Sequence, residues 1–159
     1  SLVPESMKRS KFINKKDSFH SRFITIFTHD SPWDFLSCLM SLFNSEFCKL
    51  TGISEYIKNK KVIYVRLHPF LKKEIVLKLI KKLKLLPINC KIIFIDNKTE
   101  NINESIVKSK YCVFGVSSYL NLALKSKSFI LVVDTSHINK PPIQTKNLDM
   151  KNLKVISPI

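Results

Sequence analysis

The sequence predicts an α/β fold with a mostly parallel sheet of five to six strands and helices on its faces. Three observations predict it. Short apolar runs alternate with helical patterns, in the order β-α-β-α-β-α-β-α-β. The runs are nearly continuous in apolar residues, which marks strands buried on both faces rather than strands with one wet face. Polar residues cluster at the carboxyl ends of those runs, where open sheets of this kind bind ligands.

Each element has a local reason. Residues 1–20 are polar and basic and read as a tail or linker; residues 21–159 then form one domain, as a chain of 159 residues predicts. FITIFTH (23–29) is a strand rich in β-branched and aromatic residues. SPWDFLSCLMSLFN (31–44) begins a helix, with Ser31 as N-cap and Pro32 at the first helical position. Trp33 and Phe35 read as core residues. TGISEYIKNKK holds a turn and a short helix, and VIYVRLH (62–68) is the second strand, stopped by Pro69. LKKEIVLKLIKKLKLL (71–86) is the clearest amphipathic helix, with Leu71, Ile75, Leu79 and Leu83 along one face and Pro87 as its stop. KIIFID (91–96) is a strand, NINESIVKSK (101–110) a short helix, YCVFG (111–115) a strand and SSYLNLALKS (117–126) a helix. FILVVDT (129–135) is the fifth strand, residues 137–150 are mostly loop, and LKVIS (153–157) is a sixth short strand. Together these make a Rossmann-like three-layer sandwich.

Composition narrows the function. No apolar run approaches ~20 residues, the length of a membrane-spanning helix. The first eighteen residues hold no apolar stretch of the signal-peptide type. A cytoplasmic protein is expected. The cysteines at 38, 48, 90 and 112 lack metal-ligand spacing, so buried free thiols are expected rather than zinc or disulfides. The net charge is +15, from 24 lysines and three arginines against 12 acidic residues. Part of it reflects a bias toward Lys, Asn and Ile; the surplus attracts polyanions. Scarce arginine argues against sequence-specific DNA reading. With only Gly52 and Gly115 in the chain, GxGxxG and Walker A are excluded. The stretch G-V-S-S-Y lacks the second glycine of a GxSxG nucleophile elbow.

Two motifs remain. Ser117 and Ser118 sit between a strand and a helix, where hydroxyls, free backbone N–H groups and the helix dipole make an anion site; Gly115 lets the backbone turn and a phosphate approach. A plain serine N-cap is the alternative. His68-Pro69 follows the VIYVRL run, which is expected to point the imidazole into the crevice as a strong donor beside a phosphate; a surface or core histidine before a helix is the alternative. A nucleoside phosphate fits both motifs.

VRLHP (65–69) and SIVKSKYCVFGVSSYLNLAL (105–124), with FITIFTHDSPWDFLSCLMSLF (23–43) at the opening, resemble the nucleotide-binding half of GT-B glycosyltransferases. The likeness covers residues 22 to 135 and is nearest to bacterial sialyltransferases, polysialyltransferases and related surface-polysaccharide enzymes. It implies that His68 of the HP motif, with Pro69, and Ser117 and Ser118 beside Gly115, hold the phosphate of a CMP-linked or other nucleotide-linked sugar. It also implies inverting, metal-independent chemistry, with His68 stabilising the departing phosphate. Where many such enzymes carry a glutamate on the ribose, Asn121 stands here, a weaker partner than a carboxylate. The resemblance further implies an N-terminal acceptor domain with the catalytic base. A chain this long has room for one half, so it is expected to be incomplete and inactive alone.

Other readings differ in class. Lys72, Lys73, Lys78, Lys81, Lys82 and Lys84 load one helix with charge; that is a solvated face or a contact with anionic lipid at the inner membrane face. The charge alone also suits a basic nucleic-acid-binding module without enzymatic activity. A serine hydrolase would assemble Ser117, His68 and Asp134. Arg66 reads as a buried charge paired with a carboxylate or as a residue at the site edge. Asp30 reads as a residue leading into the helix or as an acid/base.

Overall fold

The computed structural model describes residues 20–60, 62–86, 90–115, 120–134 and 152–158. Along them run β1 (Arg22–Phe27), α1 (Pro32–Asn44), α2 (Glu46–Leu50), α3 (Ile53–Lys60), β2 (Val62–Arg66) and α4 (Lys73–Leu83). Then follow β3 (Lys91–Ile95), α5 (Ile102–Lys108), β4 (Ser109–Phe114), α6 (Leu120–Leu124), β5 (Phe129–Val133) and β6 (Leu153–Ile156). The six strands form one sheet of order β3-β2-β1-β4-β5-β6, and every pair is parallel. The expected tail, the 137–150 loop and the Ser-Ser turn lie outside the described residues.

The chain steps outward from β1 to β2 and β3, then returns to the other side of β1 for β4. Right-handed crossovers made in opposite directions put their helices on opposite faces. One core packs α1 to α4, through Phe35, Leu39, Leu42, Phe47, Ile57 and Val76, onto Ile24, Ile26, Ile63, Val65 and Val113. The other packs Ile106 of α5 and Leu120 and Ala123 of α6 onto Phe27, Cys112, Phe114, Ile130 and Val132. Consecutive strand residues such as Cys112, Val113 and Phe114 go to alternate cores, the period of two of a strand. Both faces are therefore apolar, which is why the strands read as unbroken apolar runs.

Ser31 caps α1 as expected: its Oγ accepts from the Trp33 N–H at 3.2 Å, with Pro32 in the first turn. Trp33 itself is 54% exposed and no core residue, because it lies on the outer side of the first turn of α1, whose Asp34 and Phe35 are buried. Of the expected stripe, Leu79 packs partly buried on the core, whereas Ile75 and Leu83 are exposed; the buried residues of α4 are Val76 and Ile80. Leu71, although buried, precedes the helix and misled the register. The helix ends at Lys84, in the left-handed conformation with φ 50°, before Pro87 is reached. Burial raises the thiols of Cys38, Cys48 and Cys112, the last to about 12. Among the described residues, no helix is long and apolar enough to cross a membrane.

Candidate functional site

The sheet order reverses at β1, between β1 and β4, the place where open sheets of this kind bind ligands beyond the carboxyl ends of their strands. Register places the ends side by side: Arg66 pairs Phe27, and Phe27 pairs Phe114. His68 thus stands two residues beyond β2 on one flank of β1, and Gly115 one residue beyond β4 on the other. Two strand spacings, ~10 Å, separate those strands.

Thr28 ties the exits of β1 and β2 together. Its N–H donates to the Arg66 carbonyl at 3.1 Å, and its Oγ1 accepts from the His68 N–H at 2.8 Å. The His68 ring is fixed in turn, because its Nδ1 accepts from the Phe70 N–H at 3.1 Å. In the neutral ring the proton is then on Nε2, which makes that nitrogen a donor. Pro69 holds the following turn, closed by the Leu71 N–H on the His68 carbonyl at 2.9 Å. A cleft of about 240 Å³ lies between Thr28, Arg66, His68, Pro69, Asn97 and Ile102. Asn97 is positioned by donating to the Leu67 carbonyl at 3.0 Å.

Of the two expectations held for Arg66, the site-edge one describes it: it is part-buried and lines the cleft, and its guanidinium is tethered to a carbonyl and a hydroxyl. Nη1 donates to the Glu100 carbonyl at 2.9 Å and to Ser105 Oγ at 2.8 Å. The Glu100 carboxylate takes a bidentate bond from Arg22, at 2.5 and 2.6 Å, and a third from Ser105 Oγ at 2.7 Å. The Arg22 hydrogen bonds hold its carboxyl down at about 2. Next to His68 stand two further rings: His29, whose ring centroid lies 5.4 Å from that of His68, and Phe70, 5.2 Å from it and 81% exposed.

Of the residues singled out in the sequence, His68 and Pro69 line the cleft and Gly115 stands across β1 from it. Ser117 and Ser118 lie outside the described residues; Asn121 is in α6, and its side chain lies outside them too. The room at Gly115 is taken by Asp34, a residue sequence reasoning passed over. A Cβ on Gly115 would collide with Asp34 Oδ1 and lie 2.7 Å from its Cγ. Asp34 is buried, and its Oδ2 lies 3.4 Å from the His29 N–H donor. Its only signal was an acidic residue three positions after the Ser31 cap, a common helix-start pattern. The hydrolase triad is overturned by strand order. β2, which carries His68, and β5, which ends before Asp134, stand three spacings or ~14 Å apart, beyond a His–Asp hydrogen bond. Among the described residues, no group of three or more His, Cys, Asp or Glu is placed to hold a metal ion.

The fold defines a class: a Rossmann-like α/β domain with an all-parallel six-stranded sheet. No family model, curated protein or solved structure matches the chain.

Proposed function

We propose that this chain is the nucleotide-sugar-binding domain of a glycosyltransferase, taking a CMP-sugar-like donor in the crevice at the end of β1. The observation that carries this reading is His68: it lines the cleft two residues beyond β2, with Nδ1 engaged and Nε2–H left as a donor. That is the arrangement a phosphate oxygen needs. Two strand spacings across β1, ~10 Å, suit a nucleoside phosphate better than a lone phosphate ion.

In this reading an acceptor hydroxyl, deprotonated by a base outside the described residues, attacks the anomeric carbon. The bond to the phosphate breaks with its electron pair on oxygen. His68 and the serine turn stabilise that charge where it develops. The test is titration of the purified chain with CMP, CDP, UDP and GDP by calorimetry, repeated on His68→Ala and on Ser117→Ala/Ser118→Ala. Each variant is expected to lose ~1–3 kcal/mol of nucleotide binding while keeping its fold. Unchanged affinity in both would sink the assignment.

A further inference from the structure

The two histidines at the crevice are fixed in opposite senses. His68 Nδ1 accepts from the Phe70 N–H, so a neutral ring has its proton on Nε2. His29 Nδ1 faces the Asp30 carboxylate, Oδ1, which accepts only, so that nitrogen carries the proton and the neutral ring leaves Nε2 as a lone pair. Among the described residues, neither Nε2 has a hydrogen-bond partner. Adjacent rings, 5.4 Å apart, therefore offer one imidazole donor and one imidazole acceptor. A fully ionised phosphate oxygen fits the donor and is repelled by the acceptor's lone pair. The conflict ends when His29 takes a proton on Nε2. Asp30 stabilises the resulting imidazolium at the opposite nitrogen.

We propose that His29, oriented by Asp30, is a second anion-binding imidazole of this crevice, and that a phosphate-bearing ligand binds with uptake of a proton by His29. The inference rests on the reading of the crevice as a nucleotide phosphate site and adds the proton that accompanies binding. The charged groups about His29 agree with it. Asp30 on its own loop faces Nδ1, and the buried Asp34 of α1 accepts from the His29 backbone N–H. From the β2 side it meets His68, while Arg66 is turned away onto Glu100 and Ser105. The proton comes from solvent, and no other bond changes.

The experiment is calorimetry with CMP, CDP, UDP and GDP at about pH 7.5 in two buffers of different ionisation enthalpy. The expected result is an uptake approaching one proton per nucleotide. In His29→Gln the uptake disappears and affinity falls several-fold, without a change in melting temperature, since His29 is on a partly exposed loop. Binding with no buffer dependence would overturn the inference and leave the nucleotide reading standing. Binding of no nucleotide would overturn that reading, and this inference with it. An independent check is the nitrogen-15 spectrum of the free chain: a neutral His29 protonated on Nε2 rather than Nδ1 would also overturn it.

Discussion

A methyl group on Gly115 meets the Asp34 carboxylate, a buried group that cannot swing into solvent. The glycine is needed for space, whereas Gly52, with φ 81°, is needed for its backbone conformation. Gly115→Ala is expected to destabilise the fold by ~1–3 kcal/mol through overpacking. Asp34→Ala in the same chain should recover part of that loss, and a double-mutant cycle of urea unfolding would measure the coupling. Independent, additive losses would show that the two do not oppose each other. This contact was illegible in the sequence because positions 34 and 115 belong to elements that meet only when β4 returns to the side of β1. His68 was legible, because a histidine followed by proline at the end of an apolar run is a local pattern. His29 was not, since its meaning comes from Asp30 and from a ring delivered by another strand.

At the scale of an element, α4 has poor ends. Lys72 stands at its N-cap with no side-chain cap bond, and Lys84 adopts the left-handed conformation that glycine takes most easily. Lys72→Ser is expected to stabilise the protein by ~0.5–1 kcal/mol through a new cap. Lys84→Gly should do so by up to ~1 kcal/mol, the left-handed strain it removes exceeding the entropy it adds. Thermal melts of the two variants check both, and a lower melting temperature for Lys72→Ser would contradict the cap argument. The helix also explains a misread face. Ile75, Val76, Leu77, Leu79, Ile80 and Leu83 spread apolar character over much of its circumference, so periodicity alone left several stripes equally good. Packing against the sheet chose Val76 and Ile80.

For the molecule as a whole, Glu100 is a junction. It binds Arg22 at the start of β1 and Ser105 of α5 through its carboxylate, and Arg66 at the end of β2 through its carbonyl. It is 8% exposed. Its carboxyl is lowered from 4.5 to about 2, chiefly by the Arg22 hydrogen bonds. A lowered carboxyl adds stability above the unfolded value, and that stability is lost as pH falls from about 4.5 through about 2. The contribution is at most ~3 kcal/mol. Glu100→Gln is expected to unfold more easily than the parent at neutral pH, with the gap narrowing toward about pH 2. Urea midpoints measured across that range check it, and a gap independent of pH would refute the linkage.

Taken alone, the sequence determined the strands, their burial on both faces, the capped start of α1 and a histidine at the end of β2. All of these rest on chemistry within a few consecutive residues: apolar runs, a serine before a proline, a proline after a histidine. Only the tertiary structure decided the strand order, the exposure of Trp33, the buried face of α4, the seat of Asp34 against Gly115 and the pairing of His29 with His68. The physical reason is that crossover handedness and packing bring together residues distant in the chain, and no local pattern encodes which neighbours those will be.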